Sequence, residues 1–147
     1  MAQAAESGKL QQPIHIVLVE DDPGDVYLLE KVLKLQHLNY ELTLFDDGDA
    51  ALRGLSSHGG VVPDLILLDL NLPKRDGFEI LGAIRSRPAL VGVPVGVFTS
   101  SEKAADRSRT GLLGAERYIH KPPEWEDFVE QVGSAISGLL EKIPQIT

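Results

Sequence analysis

The sequence predicts an α/β fold in which a doubly wound parallel sheet carries helices on both faces, giving three layers. Three observations predict it. Short, near-continuous apolar runs such as Ile14–Val19 and Leu65–Asp69, bounded by turn residues, read as strands buried on both sides. Apolar residues at helical spacing follow each strand. Strand and helix alternate five times, the pattern of parallel crossovers rather than hairpins.

The elements follow in order. Residues 1–13 read as a flexible polar tail, and the first strand, Ile14–Val19, stops at Glu20-Asp21-Asp22-Pro23-Gly24. Asp22 reads as a helix N-cap with Pro23 at the first helical position. Val26, Leu29, Val32 and Leu33 mark the stripe of a helix ending near Gln36. Tyr40, Leu42 and Leu44 alternate with Glu41 and Thr43, as in a half-solvated edge strand. A turn at Asp46-Asp47-Gly48 leads into a short helix, Asp49–Ser57, and a loop at His58-Gly59-Gly60. After the third strand, Leu65–Asp69, a helix carrying Phe78, Leu81 and Ile84 stops before Pro88. Val93–Thr99 is the fourth strand, although Pro94 cannot donate to a sheet ladder. Glu102–Leu113 forms a helix whose apolar stripe is thin, only Ala105, Leu112 and Leu113, and therefore loosely held. Glu116–His120 is the fifth strand. Trp125, Phe128, Val129, Val132, Ala135, Ile136, Leu139 and Leu140 then space a strong terminal helix, leaving 142–147 as a tail with no output domain.

The 147 residues suit one domain, which at this size buries about 70% of its unfolded surface. Fourteen Lys plus Arg against 22 Asp plus Glu leave a formal charge of −8, which argues against nucleic acid and against an anionic membrane surface. Zero Cys excludes disulfides and thiol chemistry and fits a cytoplasmic protein. The longest apolar runs fall far below the ~20 residues that cross a bilayer. The amino terminus lacks the basic and apolar regions of a signal peptide. The four histidines (His15, His37, His58, His120) show no metal-ligand spacing.

Ligands of doubly wound sheets bind beyond the carboxyl ends of the strands. The residues there are Glu20, Asp21 and Asp22 after the first strand, Asp69, Leu70 and Asn71 after the third, Thr99 and Ser100 after the fourth, and Lys121 after the fifth. Two carboxylates ~4 Å apart at an effective dielectric near 20 repel by about 4 kcal/mol. Lys121 alone does not balance the cluster. A hard divalent cation such as Mg²⁺ does, since it accepts a few carboxylates, a backbone carbonyl and retained waters. Phosphate oxygens are the natural further ligands, so the rim reads as a phosphoryl-transfer site with a carboxylate nucleophile.

Four stretches carry a family resemblance: Val19-Glu20-Asp21-Asp22-Pro23, Leu68-Asp69-Leu70-Asn71-Leu72-Pro73-Lys74-Arg75-Asp76-Gly77, Phe98-Thr99-Ser100 and Tyr118-Ile119-His120-Lys121-Pro122. Together they resemble the receiver domains of two-component response regulators, over roughly Ile14 to Leu140. The Glu-Asp-Asp-Pro-Gly-Asp and Leu-Pro-Lys-Arg-Asp-Gly stretches are similar to single-domain regulators paired with phytochrome-type sensor kinases. The resemblance implies a flavodoxin-like (βα)5 sandwich with sheet order 2-1-3-4-5 and a receiver spanning 14–141. It implies that Asp69 accepts a phosphoryl group from a kinase histidine. The metal, Mg²⁺ or Mn²⁺, would be held by Asp21 and Asp69 directly, by Asn71 through its backbone carbonyl and by Glu20 through water. Thr99 would donate a hydrogen bond to the phosphoryl group and Lys121 would pair with its charge. Tyr118 would be the aromatic switch, Asn71 and Ser101 would tune dephosphorylation, and the Lys121–Pro122 bond would be cis. The implied partners are a sensor histidine kinase, a downstream protein and a second copy of the chain. The latter two would meet the face formed by the fourth helix, fifth strand and fifth helix.

The sequence departs from the family at three points: Glu20 stands for the commoner Asp, Ser100 for a smaller residue and Pro123 for a frequent Phe. Two other classes compete. An unphosphorylated pseudo-receiver would lack some of Asp21, Asp69, Thr99 and Lys121, yet all are present. An aspartyl-phosphate phosphatase would carry Asp-x-Asp after the first strand, whereas Asp69-Leu70-Asn71 follows the third and lacks the second acid. Neither a Walker A nor a Gly-x-Gly-x-x-Gly pattern occurs.

Overall fold

The computed structural model describes residues 12–56 and 62–143, with the backbone alone at Ser56. The expected helix end at Ser57, the His58-Gly59-Gly60 loop and most of both tails lie outside the described residues. Five parallel strands run in the order 2-1-3-4-5: β1 Ile14–Val19, β2 Tyr40–Phe45, β3 Leu65–Leu68, β4 Val95–Thr99 and β5 Arg117–His120. Between and after them lie α1 Pro23–Leu35, α2 Gly48–Ser56, α3 Gly77–Arg85, α4 Ala104–Leu112 and α5 Trp125–Leu140. The expected α/β class and strand order are the observed ones.

Strand pleating divides the core. Ile16 and Leu18 of β1, with Leu65, Leu67, Phe98 and Ile119, face α1 and α5, while Val17, Val19, Ile66, Leu68, Val95 and Val97 face α2 and α3. Every residue of β3 is buried, as a strand covered on both faces requires. The edge strand β2 departs from the expected alternation. Tyr40 and Leu42 pack against the α1/α5 side, but Leu44 stays 45% exposed at the uncovered rim. Thr43 on the other face is partly buried and hydrogen-bonds His15 Nε2 at 2.8 Å.

Several boundaries shift for local reasons. β4 begins at Val95, not Val93, because Pro94 has no N–H; its carbonyl accepts from Ile66 N at 3.0 Å instead. Gly96 lets that strand pack close to α5: a Cβ there would sit 2.7 Å from Leu139 Cδ1, a side-chain end that would have to move. A 3-10 turn, Pro88–Leu90, was not anticipated. It is tied down by Arg85, whose guanidinium donates to the carbonyls of Leu90, Val91 and Gly114. Ile143, expected in the tail, packs against the α1/α5 core. Among the described residues no helix is long and apolar enough to cross a membrane.

Register fixes where side chains emerge. Val19 pairs with both Phe45 and Leu68, Leu68 with Val97, and Thr99 with His120. The carboxyl ends of all five strands therefore lie along one edge. Strand order reverses between β1 and β3, which opens a crevice between Glu20 and Asp69.

Candidate functional site

Glu20 leaves β1 directly into the protein and is 1% exposed. Asp21 follows it and is exposed, and Asp22 caps α1 by accepting from Gly24 N at 2.8 Å, as expected. Asp69 leaves β3 and is 5% exposed. One carboxylate oxygen from each of Glu20, Asp21 and Asp69 lies within 4.8 Å of the others. Three carboxylate donors from two strand ends suit a hard divalent cation. Asp76 caps α3 through Glu79 N at 2.9 Å, and Asp47 accepts from Ala50 N at 2.7 Å in the turn read for it.

Lys121 reaches this crevice from the end of β5, over the face of Phe98 with its ammonium 4.7 Å from the ring centroid. Its Nζ donates to Glu20 Oε1 at 2.5 Å, Asp25 Oδ2 at 2.8 Å and Asp69 Oδ2 at 3.3 Å. Burial disfavours the lysine charge, but Asp25, Asp69 and Glu20 outweigh it and push the ammonium above its ordinary range. Glu20 is dominated by burial. Desolvation raises its carboxyl from 4.5 to about 7, with Asp69 adding to the rise and Lys121 opposing it. Asp25, in the first turn of α1, was absent from the expected site. The only trace in the sequence is its place three residues after the Asp22 cap, where a carboxylate ordinarily serves the helix end.

The loop after β3 is seated on glycine. A Cβ on Gly77 would sit 2.5 Å from the Asp69 carbonyl oxygen and 2.6 Å from Leu70 Cα, so the phosphoacceptor candidate and the α3 N-terminus touch through backbone. Within this loop Lys74 adopts φ 73°, a left-handed conformation uncommon for a residue with a side chain. Asn71 is exposed, and its N–H donates to Asp69 Oδ1 at 3.2 Å.

Thr99 is fully buried at the end of β4, with Oγ1 accepting from Ser101 N at 3.3 Å. Ser101 connects several elements. Its Oγ donates to Asp106 Oδ2 on α4 at 2.6 Å, and its carbonyl accepts from the Tyr118 hydroxyl at 2.8 Å. The Arg107 guanidinium lies 4.4 Å from the Tyr118 ring centroid. The structure thus brings Glu20, Asp21, Asp69 and Lys121 into one cluster, with Thr99, Ser101 and Tyr118 linked beside it. One expectation is corrected: no cis peptide bond occurs among the described residues, so Lys121–Pro122 is trans. An X–Pro bond prefers trans by about 0.5–1 kcal/mol when nothing around it enforces cis.

The response regulator receiver domain profile matches residues 16–133. Response regulator Rcp1 of Synechocystis is 37% identical over 141 residues, covering 93% of this chain and 96% of its own. The Mn²⁺-bound form of Rcp1 aligns with a TM-score of 0.82 at 36% identity, over 92% of this chain and all of that one. The phosphorylated cyanobacterial phytochrome response regulator RcpA aligns with a TM-score of 0.82 at 32% identity, over 92% and 99% of the two chains. The receiver domain of sensor histidine kinase PA1611 from Pseudomonas aeruginosa, with magnesium in its active-site cleft, aligns with a TM-score of 0.66 at 28% identity. It does so over 85% of this chain and 98% of its own. With fold, site geometry and sequence in agreement, the chain belongs to the response regulator receiver domain family.

Proposed function

We propose that this protein is a stand-alone phosphorylation switch that takes a phosphoryl group from a sensor histidine kinase onto Asp69. The observation that carries the reading is the convergence of Glu20, Asp21, Asp69 and Lys121 from three strand ends on one crevice. The receiver spans residues 14–141 between the two tails and acts in the cytoplasm. Mg²⁺, or Mn²⁺ in its place, would be held by the carboxylates of Asp21 and Asp69, by the Asn71 backbone carbonyl and by Glu20 through water. The ion supplies charge neutralisation at the phosphoryl oxygens. Metal in the Rcp1 and PA1611 structures supports this assignment.

An Asp69 carboxylate oxygen attacks phosphorus, the bond to the donor imidazole nitrogen breaks, and the imidazole leaves. Lys121 pairs with the transferred charge, and Thr99 turns its hydroxyl to donate to a phosphoryl oxygen. Water later attacks phosphorus along a path lined by Asn71 and Ser101, releasing inorganic phosphate and restoring the carboxylate. Beyond accepting the group from the kinase, the chain's own chemistry is self-phosphorylation from small donors and self-dephosphorylation. Movement of Thr99 is felt by Tyr118 through Ser101, biasing a pre-existing equilibrium of the α4–β5–α5 face. That face engages a downstream protein or a second copy of the chain. The likeness to a phytochrome response regulator supports a phytochrome-type kinase as the donor.

The test is mass measurement after acetyl phosphate and Mg²⁺. Wild type gains one phosphoryl group and Asp69→Asn gains none. An equal adduct on both proteins overturns the acceptor assignment.

A further inference from the structure

An ammonium has three N–H donors, and those of Lys121 are all taken, by Glu20, Asp25 and Asp69. Two of these acceptors belong to the carboxylate trio that can hold a cation; Asp25 does not. Its position on α1 sharpens the point. Pro23 opens the helix, so Asp25 is the third helical residue, where a carboxylate commonly reaches back to the N-cap N–H. Here that N–H, on Asp22, goes to Glu20 Oε2 at 3.2 Å, and the cap is closed by Asp22 itself. Asp25 is thereby spared for the lysine. It is also the most open arm of the group, with its side chain 26% exposed against 8% for Asp69 and 0% for Glu20.

A phosphoryl group on Asp69 brings new acceptor oxygens to an ammonium with no donor to spare. One existing contact has to yield. Glu20 is fully buried and makes the shortest of the three contacts, and Asp69 anchors the phosphoryl group. Only the Asp25 carboxylate can exchange the ammonium for water, since its side chain alone of the three is partly exposed. We infer that Asp25 is a positioning residue: it holds the Lys121 ammonium in competition with the phosphorylated Asp69 and sets how readily the lysine engages that group. No bond is made or broken in this step, only one N–H···O contact moved. The inference rests on the receiver chemistry proposed above.

Beryllofluoride, which stands in for the phosphoryl group on an aspartate, tests it. Wild type, Asp25→Asn, Asp25→Ala, Asp22→Asn and Asp69→Asn are titrated at saturating Mg²⁺ and followed by fluorine NMR, with thermal midpoints as a check on folding. Both Asp25 variants bind about fivefold tighter, which corresponds to about 1 kcal/mol at tenfold per 1.4 kcal/mol. Their bound fluorine resonances shift as the lysine turns wholly to the ligand. Asp22→Asn removes the same charge from the same helix end, keeps the cap and touches no lysine, so it stays close to wild type. If Asp25→Asn, or Asp25→Ala should the former not fold, binds no tighter than Asp22→Asn, the competition is refuted. If wild type shows no bound resonance beyond that of Asp69→Asn, the receiver reading fails instead.

Discussion

Glu20 makes the resting site a source of pH-dependent instability. Desolvation raises its carboxyl from 4.5 to about 7 in the fold, whereas the unfolded chain restores the ordinary value. Between those values the folded protein holds a proton that the unfolded chain has lost. The stabilisation is complete below about 4.5 and disappears as pH rises through about 7. From pH 5 to pH 8 the loss comes to roughly 2–3 kcal/mol, a large share of a stability of about 5–15 kcal/mol. Urea titrations at several pH values read this as a midpoint falling by on the order of 1 M. Glu20→Gln keeps an acceptor for Lys121 but has no proton to lose, so its pH profile is flatter by that amount. Saturating Mg²⁺, which binds the ionised cluster, restores more stability at pH 8 than at pH 5. If Glu20→Gln follows the wild-type slope, or if wild type gains stability across this range, burial of Glu20 is not what governs the site.

Two further outcomes follow from local geometry. Gly77→Ala forces a methyl group against the Asp69 carbonyl and Leu70 Cα, backbone that cannot swing aside, and lowers stability by about 1–3 kcal/mol. An unchanged urea midpoint would show that the loop relaxes freely. Tyr118→Phe removes the 2.8 Å hydrogen bond to the Ser101 carbonyl and costs about 1 kcal/mol, read as a lowered thermal midpoint. A variant as stable as wild type would mean that this hydroxyl does not hold the loop.

The site's architecture was legible where it depended on strand ends. Glu20, Asp69 and Thr99 each follow an apolar run, Lys121 follows the short strand ending at His120, and parallel pairing brings them to one edge. The cap at Asp22 was legible too, because an Asp before Pro23 acts within a few residues of itself. Asp25 was not, since its partner Lys121 lies 96 residues away and the pairing depends on how α1 packs in the folded chain. The same holds for Arg85, which looks like any last-turn arginine until the Gly114 carbonyl, 29 residues on, meets its guanidinium. The true start of β4 was hidden by the apolar character of Val93, which is buried without pairing in the sheet.

The contrast between α4 and α5 says which part of the molecule can answer the site. Phe128, Val132, Ala135, Ile136 and Leu139 of α5 are all buried, so moving that helix would open the core at a cost of several kcal/mol. In α4 only Thr110 is buried, and Leu112 is 89% exposed. What holds α4 is mainly at its surface: Arg107 over Tyr118, Arg109 over Phe78, and Asp106 on the Ser101 hydroxyl. Exposed cation–π contacts contribute about 0.5–1 kcal/mol each and the hydrogen bond about 1 kcal/mol, so the helix is attached by only a few kcal/mol. Two of those three contacts run through Ser101 and Tyr118, the residues hydrogen-bonded to each other beside Thr99. A rearrangement at the end of β4 therefore loosens α4 before it disturbs any buried apolar residue, which makes this helix the low-stability element of the fold.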